Sequence, residues 1–218
     1  MKLPYAINWK YEWIALATIL IAIAASPYFY QHFPEQVATH WNFQGQPDGY
    51  SGRAFAAFFF PALILGIYLL ITLIPLIDPR KDRYKDFSRP YNNIRLSIVF
   101  FFVAVYALAS LNGIGYNLPV QIIMPVGVGL LFIILGNIMP KMRRNWFVGI
   151  RTPWTLSSET VWNKSHRFGG KMFVLAGIIM ILSTVMPPVW YAPLFFGSVV
   201  LISLGTIFYS WWVWKKES

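Results

Sequence analysis

Long apolar runs alternate along this chain with polar connectors rich in aromatic residues. The runs lie near Trp13–Tyr30, Ala54–Ile77, Leu96–Leu111, Pro119–Met139, Met172–Pro188 and Tyr191–Trp214. Each is long enough, at about 17–24 residues, to cross a hydrocarbon core of ~30 Å as a helix. The pattern predicts an all-α integral membrane protein, a bundle of about six transmembrane helices. Pro79 stops the second helix, while Pro61 and Pro125 fall inside the second and fourth and are expected to kink them. Gly127, Gly129 and Gly136 give the fourth span a small-residue face for close helix approach. No Asp, Glu, Lys, Arg or His is placed well inside a span by these boundaries, which argues against a proton-coupled transporter.

Composition agrees: 57% of the 218 residues are hydrophobic and 12% charged, which excludes a disordered chain. There is no Cys, hence no disulfide and no thiol chemistry. The net charge of +10 is distributed unevenly. All of the 18 Lys and Arg except Arg53 fall before the first span, after the second, after the fourth or after the sixth. By the positive-inside rule the protein is a multi-pass protein of the cell membrane with both termini cytoplasmic. The charge is a topology signal, and with no soluble domain to hold a duplex, direct nucleic-acid binding is not expected. The leader has some features of a cleaved signal peptide, but Trp9, Tyr11, Glu12 and Trp13 favour an uncleaved first span. Trp9, Trp13, Trp190, Tyr191, Trp211, Trp212 and Trp214 sit at span ends, as an interfacial aromatic belt does.

Two polar strings carry the candidate chemistry. In the outer loop, PEQVATHWNFQGQPDGY places Pro47, Asp48 and Gly49 where a tight turn needs them, with Gly45 adding backbone freedom. The expected turn at Gln46–Gly49 folds Tyr50 back toward His40, Trp41, Asn42 and Phe43 and makes a compact lid. His32, Glu35, His40 and Asp48 have ligand chemistry, but their spacing fits no zinc template. No nucleophile stands near His40. No catalytic residue, metal or cofactor is predicted.

In the inner loop, Pro140–Lys171 is dense in basic and aromatic residues. Pro153 stiffens the turn after Arg151 and Thr152, Trp154 is suited to the interface, and Arg151 offers a planar fork of donors. Ser157 reads as an N-cap with Glu159 in the first turn. A short interfacial cytoplasmic helix is expected from Ser158 to Phe168, ending at Gly169–Gly170. One reading of this loop is a clamp on the fourth and fifth spans; the other is recognition of a partner or of lipid.

The string HWNFQGQPDGY resembles the membrane module that commonly precedes SdpI-type domains. GNIMPKMRRNWFVGIRTPWTLSSETVWNKSHRFGGKMF, from Gly136 to Phe173, resembles the signature of the SdpI family. The motif positions are Asn145, Gly149, Arg151, Thr152, Pro153, Trp154, Ser157, Glu159, Trp162, His166, Arg167, Phe168, Gly169 and Gly170. The resemblance divides the chain into an N-terminal module of two spans (1–93) and a four-span SdpI-like domain (94–218). It implies an immunity and signalling protein that binds a peptide toxin on the outer side and couples to a cytosolic regulator or anionic lipid on the inner side. Two alternatives stay open: a small-solute transporter or channel, and an intramembrane enzyme with a metal in the outer loop.

Overall fold

Residues 3–217 are described by the computed structural model. Among the described residues, six helices are long and apolar enough to cross a membrane. They are α1 (Trp9–His32), α2 (Arg53–Leu73), α3 (Ser88–Gly113), α4 (Val120–Ile138), α6 (Glu159–Ser183) and α7 (Tyr191–Glu217). A five-residue helix, α5 (Pro153–Ser157), precedes α6. Between α1 and α2 stands an antiparallel hairpin of β1 (Gln36–Trp41) and β2 (Pro47–Gly52). The up-and-down order brings the hairpin and the 114–119 and 184–190 connectors to one end of the bundle, the hairpin face. Both termini and the 74–87 and 139–158 segments gather at the other, the termini face.

Helices α1, α2 and α3 share an apolar core of Ala15, Ile19, Ala22, Ile64, Tyr68, Leu96, Val99 and Tyr106. On the termini face Tyr5, Tyr84, Phe87, Tyr91, Met142 and Trp162 form a second core. The segment before α1 is tied into it: the Tyr5 hydroxyl donates to Thr72 O at 3.1 Å and Asn92 Nδ2 donates to Ala6 O at 2.6 Å. Helices α4 and α6 cross at glycines. A Cβ on Gly136 would lie 2.5 Å from Gly170 O, and one on Gly129 would lie 2.6 Å from Gly177 O. Only glycine permits this backbone approach.

Four expectations are corrected. First, the bundle does contain buried ionisable groups. Glu12, in the first turn of α1, and Arg95, in the second turn of α3, are 1% and 0% exposed. Arg95 Nη1 donates to Glu12 Oε1 at 2.7 Å and its Nη2 donates to the other carboxylate oxygen. Tyr68, Thr72 and Asn92 complete the cluster. Arg95 is therefore a core residue and not a loop cation. Second, no separate interfacial helix ends at Gly169–Gly170. The helix runs unbroken through both glycines to Ser183, the missing side chain of Gly170 making room for α4 and that of Gly169 for Ile150, Met139 and Thr206. Third, Ser158 and not Ser157 is the N-cap of α6, its Oγ accepting from Val161 N–H at 3.3 Å; Ser157 Oγ donates to Trp154 O. Fourth, the tight turn of the outer loop lies at Asn42–Gln46, before the predicted Gln46–Gly49. Asn42 Oδ1 accepts from Gln44 and Gln46 N–H, each at 3.0 Å, and Gly45 takes a φ of 76°. Pro47, Asp48 and Gly49 lie in strand β2, and Gly49 does not take a positive φ.

Candidate functional site

The hairpin is anchored at its base and rests on two other helices at its tip. Phe33 and Val37 are buried against Ala56 and Ala57 of α2. At the tip, Gly45 approaches Gln121 of α4 so closely that a Cβ would lie 2.3 Å from the side-chain oxygen. The Phe43 ring packs against Phe195 and Phe196 of α7, at centroid distances of 5.8 and 5.7 Å. The strands pair with an irregularity around His40, which faces Gly49. Gly49 is required for this pairing by contact: a Cβ there would sit 2.9 Å from His40 Cβ.

Beneath the hairpin lies a cavity of about 560 Å³. Its roof includes His40, Trp41, Asn42 and Asp48 from the predicted outer set. Gly45, Pro47, Gly49 and Tyr50 shape the hairpin but do not line the cavity. The walls come from parts of the chain that the sequence reading did not connect to this loop, such as Leu108 of α3, Met124 and Pro125 of α4, Met180 of α6 and Tyr191 of α7. Pro125, which the sequence marks as a helix-interior proline, is the one signal among them. At the lip, His40 Nδ1 and Asp48 Oδ1 are 2.5 Å apart. The two remain substantially exposed, at 72% and 44% of their side chains. Among the described residues no group of His, Asp or Glu is arranged to hold a metal ion.

At the termini face the 142–158 segment is held by its own polar groups. Asn145 is fully buried: its Oδ1 accepts from Phe147 and Val148 N–H at 2.9 and 2.7 Å. Its Nδ2 donates to Arg143 O and Val148 O at 2.9 and 3.0 Å. Gly149 has a φ of 113°, and a Cβ there would strike His166 Nε2 at 2.3 Å. That nitrogen accepts from Ile150 N–H at 3.0 Å, so Nδ1 carries the proton and donates to Trp162 O at 2.9 Å. His166 is thus a neutral, buried tie between loop and helix. Thr152 caps α5 by accepting from Thr155 N–H, and its Oγ1 lies 3.0 Å from Ser210 Oγ of α7. Trp162, with no exposed surface, donates from Nε1 to Met142 O at 2.9 Å.

Residues outside the predicted set complete this construction. Asp78 accepts from Arg80 N–H at 2.7 Å, from the Tyr84 hydroxyl at 2.9 Å and from Trp146 N–H at 3.0 Å. Arg80 and Arg144 both donate to Leu156 O at 3.3 Å, and Arg144 reaches Ser157 O at 3.0 Å. These bonds satisfy carbonyls at the end of α5. Burial, with Arg144 beside it, lowers the Arg80 pKa from its ordinary value. Arg83 makes two bonds of 3.3 Å to Glu159, and Lys164 pairs with Glu217 at 3.0 Å. The segment still presents Trp146, Arg151, Pro153 and, on α6, Arg167 at its surface, with Trp154 half-buried.

Arg151 Nη1 donates to Trp146 O at 2.8 Å, bracing its own loop. Arg151→Lys keeps the charge but loses the guanidinium fork, and is expected to weaken the loop by about 0.5–1.5 kcal/mol. Limited proteolysis in detergent should then cut the 142–152 stretch faster than in wild type. Lys164→Arg, which retains a cation opposite Glu217, should leave the rate unchanged. Equal resistance in both variants would mean that Arg151 contributes charge only.

Fold and site together define a six-span helical membrane protein with a hairpin-roofed cavity at one face and a keyed basic loop at the other. Residues 141–210 match the SdpI/YfhL protein family, and residues 17–65 match a domain of unknown function, DUF1648. Over 141–210 the chain is thus similar to the SdpI/YfhL family. Among its relatives is "Immunity protein SdpI" of Bacillus subtilis (strain 168), 29% identical over 167 residues, which are 77% of this chain and 78% of the relative. No solved structure matches the chain.

Proposed function

We propose that this protein is a membrane immunity protein that binds a peptide toxin in the cavity under the hairpin, the hairpin face being outward. The homology to an immunity protein supports the immunity role. The observation that carries the binding reading is the cavity itself, which joins an extramembrane roof to the ends of four spanning helices. Apolar walls with a few polar groups at the lip suit an amphipathic ligand. Outside the buried Arg95, most cationic residues lie toward the termini face, with Arg53 at the hairpin face and Lys171 midway along α6 as the exceptions, and this bias supports cytoplasmic termini. In the same reading the exposed Trp146, Arg151 and Arg167 meet a cytosolic partner or anionic headgroups.

The transporter alternative is disfavoured by the helix crossing next to the cavity. Val128 lines it, and the following residue, Gly129, is already in backbone contact range of Gly177. Such close helix packing beside the cavity fits capture better than conduction.

Filling the cavity tests the proposal. Ala109→Trp projects a large ring from α3 into it and is expected to abolish protection of bacteria against the toxin, with membrane insertion retained. Gly197→Ala, where an added Cβ meets nothing within 4 Å, should protect like wild type. Full protection by an inserted Ala109→Trp protein would remove the cavity from the mechanism.

A further inference from the structure

We propose, resting on the cavity reading above, that the bound peptide presents a primary ammonium group, from a lysine or its amino terminus, to His40 and Asp48. The lip is built to accept hydrogen bonds. The carboxylate of Asp48 can only accept, so the short contact to His40 Nδ1 places the proton on that nitrogen. In the neutral imidazole this leaves Nε2 as a second acceptor. Asp48 is the one Asp, Glu, Lys or Arg among the residues that line the cavity, and its carboxylate gives the site negative character. The cation on the same face, Arg53, is outside the lining and stacks over the Tyr30 ring at 5.3 Å.

Two further polar side chains of the roof have partners within the hairpin: Thr39 Oγ1 lies 3.0 Å from Ser51 Oγ, and Asn42 is tied to the turn. Asn42 Oδ1 holds the hairpin turn, and its Nδ2 donates to Gln46 Oε1 at 3.3 Å. Trp41, Phe43, Tyr191 and Phe195 line the same cavity. Their negative ring faces attract a cation, which fits an ammonium better than a carboxylate. The apolar part of the ligand then fills the space below, against Leu108, Met124 and Met180. An acidic peptide would face Asp48 without a compensating cation in the lining.

The test uses the full chain in nanodiscs of phosphatidylcholine and phosphatidylglycerol, with phenylbutylammonium, phenylbutanol and phenylbutanoate as probes. Binding is read by calorimetry and by saturation-transfer NMR. The ammonium probe is expected to bind about tenfold more tightly than the alcohol, the difference of one charge-assisted hydrogen bond. The carboxylate should bind more weakly than both. Asp48→Asn should erase the ammonium preference while the alcohol still binds, showing an intact lid, and Asp48→Glu should retain the preference. Carboxylate binding as tight as ammonium, or a preference that survives Asp48→Asn, would overturn the inference. Equal binding of ammonium and alcohol would sink it while leaving the cavity reading in place. Failure of all three probes to bind would sink both. Displacement of the probe when phosphatidylethanolamine is added to the discs would assign the acceptors to a lipid headgroup and overturn the peptide source.

Discussion

Glu12→Ala is expected to destabilise the folded bundle by roughly 3–5 kcal/mol, the cost of leaving a buried charge without its partner. Arg95 has no exposed surface, and its guanidinium is directed at Glu12, Thr72 Oγ1 (3.0 Å) and Asn92 Oδ1 (2.9 Å). Removing the carboxylate leaves the cation in a site that water does not reach, and also strips the Tyr68 hydroxyl of its acceptor at 2.6 Å. Arg95→Met alone should be similarly harmful, because it strands the carboxylate. The double variant Glu12→Ala, Arg95→Met should recover part of the loss, since neither charge then remains. Thermal unfolding in detergent, arranged as a double-mutant cycle, measures this. Additive effects of the two changes would show that the pair is not coupled.

The second large effect is expected at the crossing of α4 and α6. Gly170→Val puts a branched side chain where a Cβ alone would lie 2.5 Å from Gly136 O, with Pro140 also within 3.3 Å. Overpacking of a core ordinarily costs about 1–3 kcal/mol. Here the obstructing atom is backbone, so the helices must separate and the cost should reach the top of that range. The displacement would also disturb the cap of α6 and the His166 tie to Ile150. The expected result is a lower unfolding temperature together with faster proteolysis of the 142–158 loop. Gly66→Ala, which meets nothing within 4 Å, serves as the control and should leave both unchanged. A Gly170→Val protein as stable as the control would mean that α4 and α6 do not approach through these glycines.

The sequence exposed the spanning helices because a membrane demands about 20 apolar residues for each, and such runs are visible without any knowledge of packing. It misjudged the fifth span. A polar, capped stretch from Glu159 onward looks interfacial, yet its Trp162, Ser165 and His166 face protein and are fully buried. The polar atoms of Trp162 and His166 could be placed inside because Met142 and Ile150 supply their partners, while the buried Ser165 hydroxyl has none among the described residues. The Gly169–Gly170 pair was read as a helix end, since glycine favours that position in isolation. What decides between an end and a crossing is whether another helix lies against it, and that is not a local property.

The same distinction applies to the sites. The chain by itself determined a family resemblance, a helical membrane architecture and two polar strings, because composition, span length and motif are local quantities. Tertiary structure decided that Glu12 and Arg95, 83 residues apart, form one buried pair. It also decided that the hairpin turns at Asn42–Gln46, where Asn42 can hold the turn and Gly45 can pass Gln121. The cavity is a tertiary object altogether: its roof lies before α2, and its walls come from α3, α4, α6 and α7. No periodicity along the chain encodes that meeting, because it follows from how the glycine faces of α4 and α6 set the spacing of the helices around them.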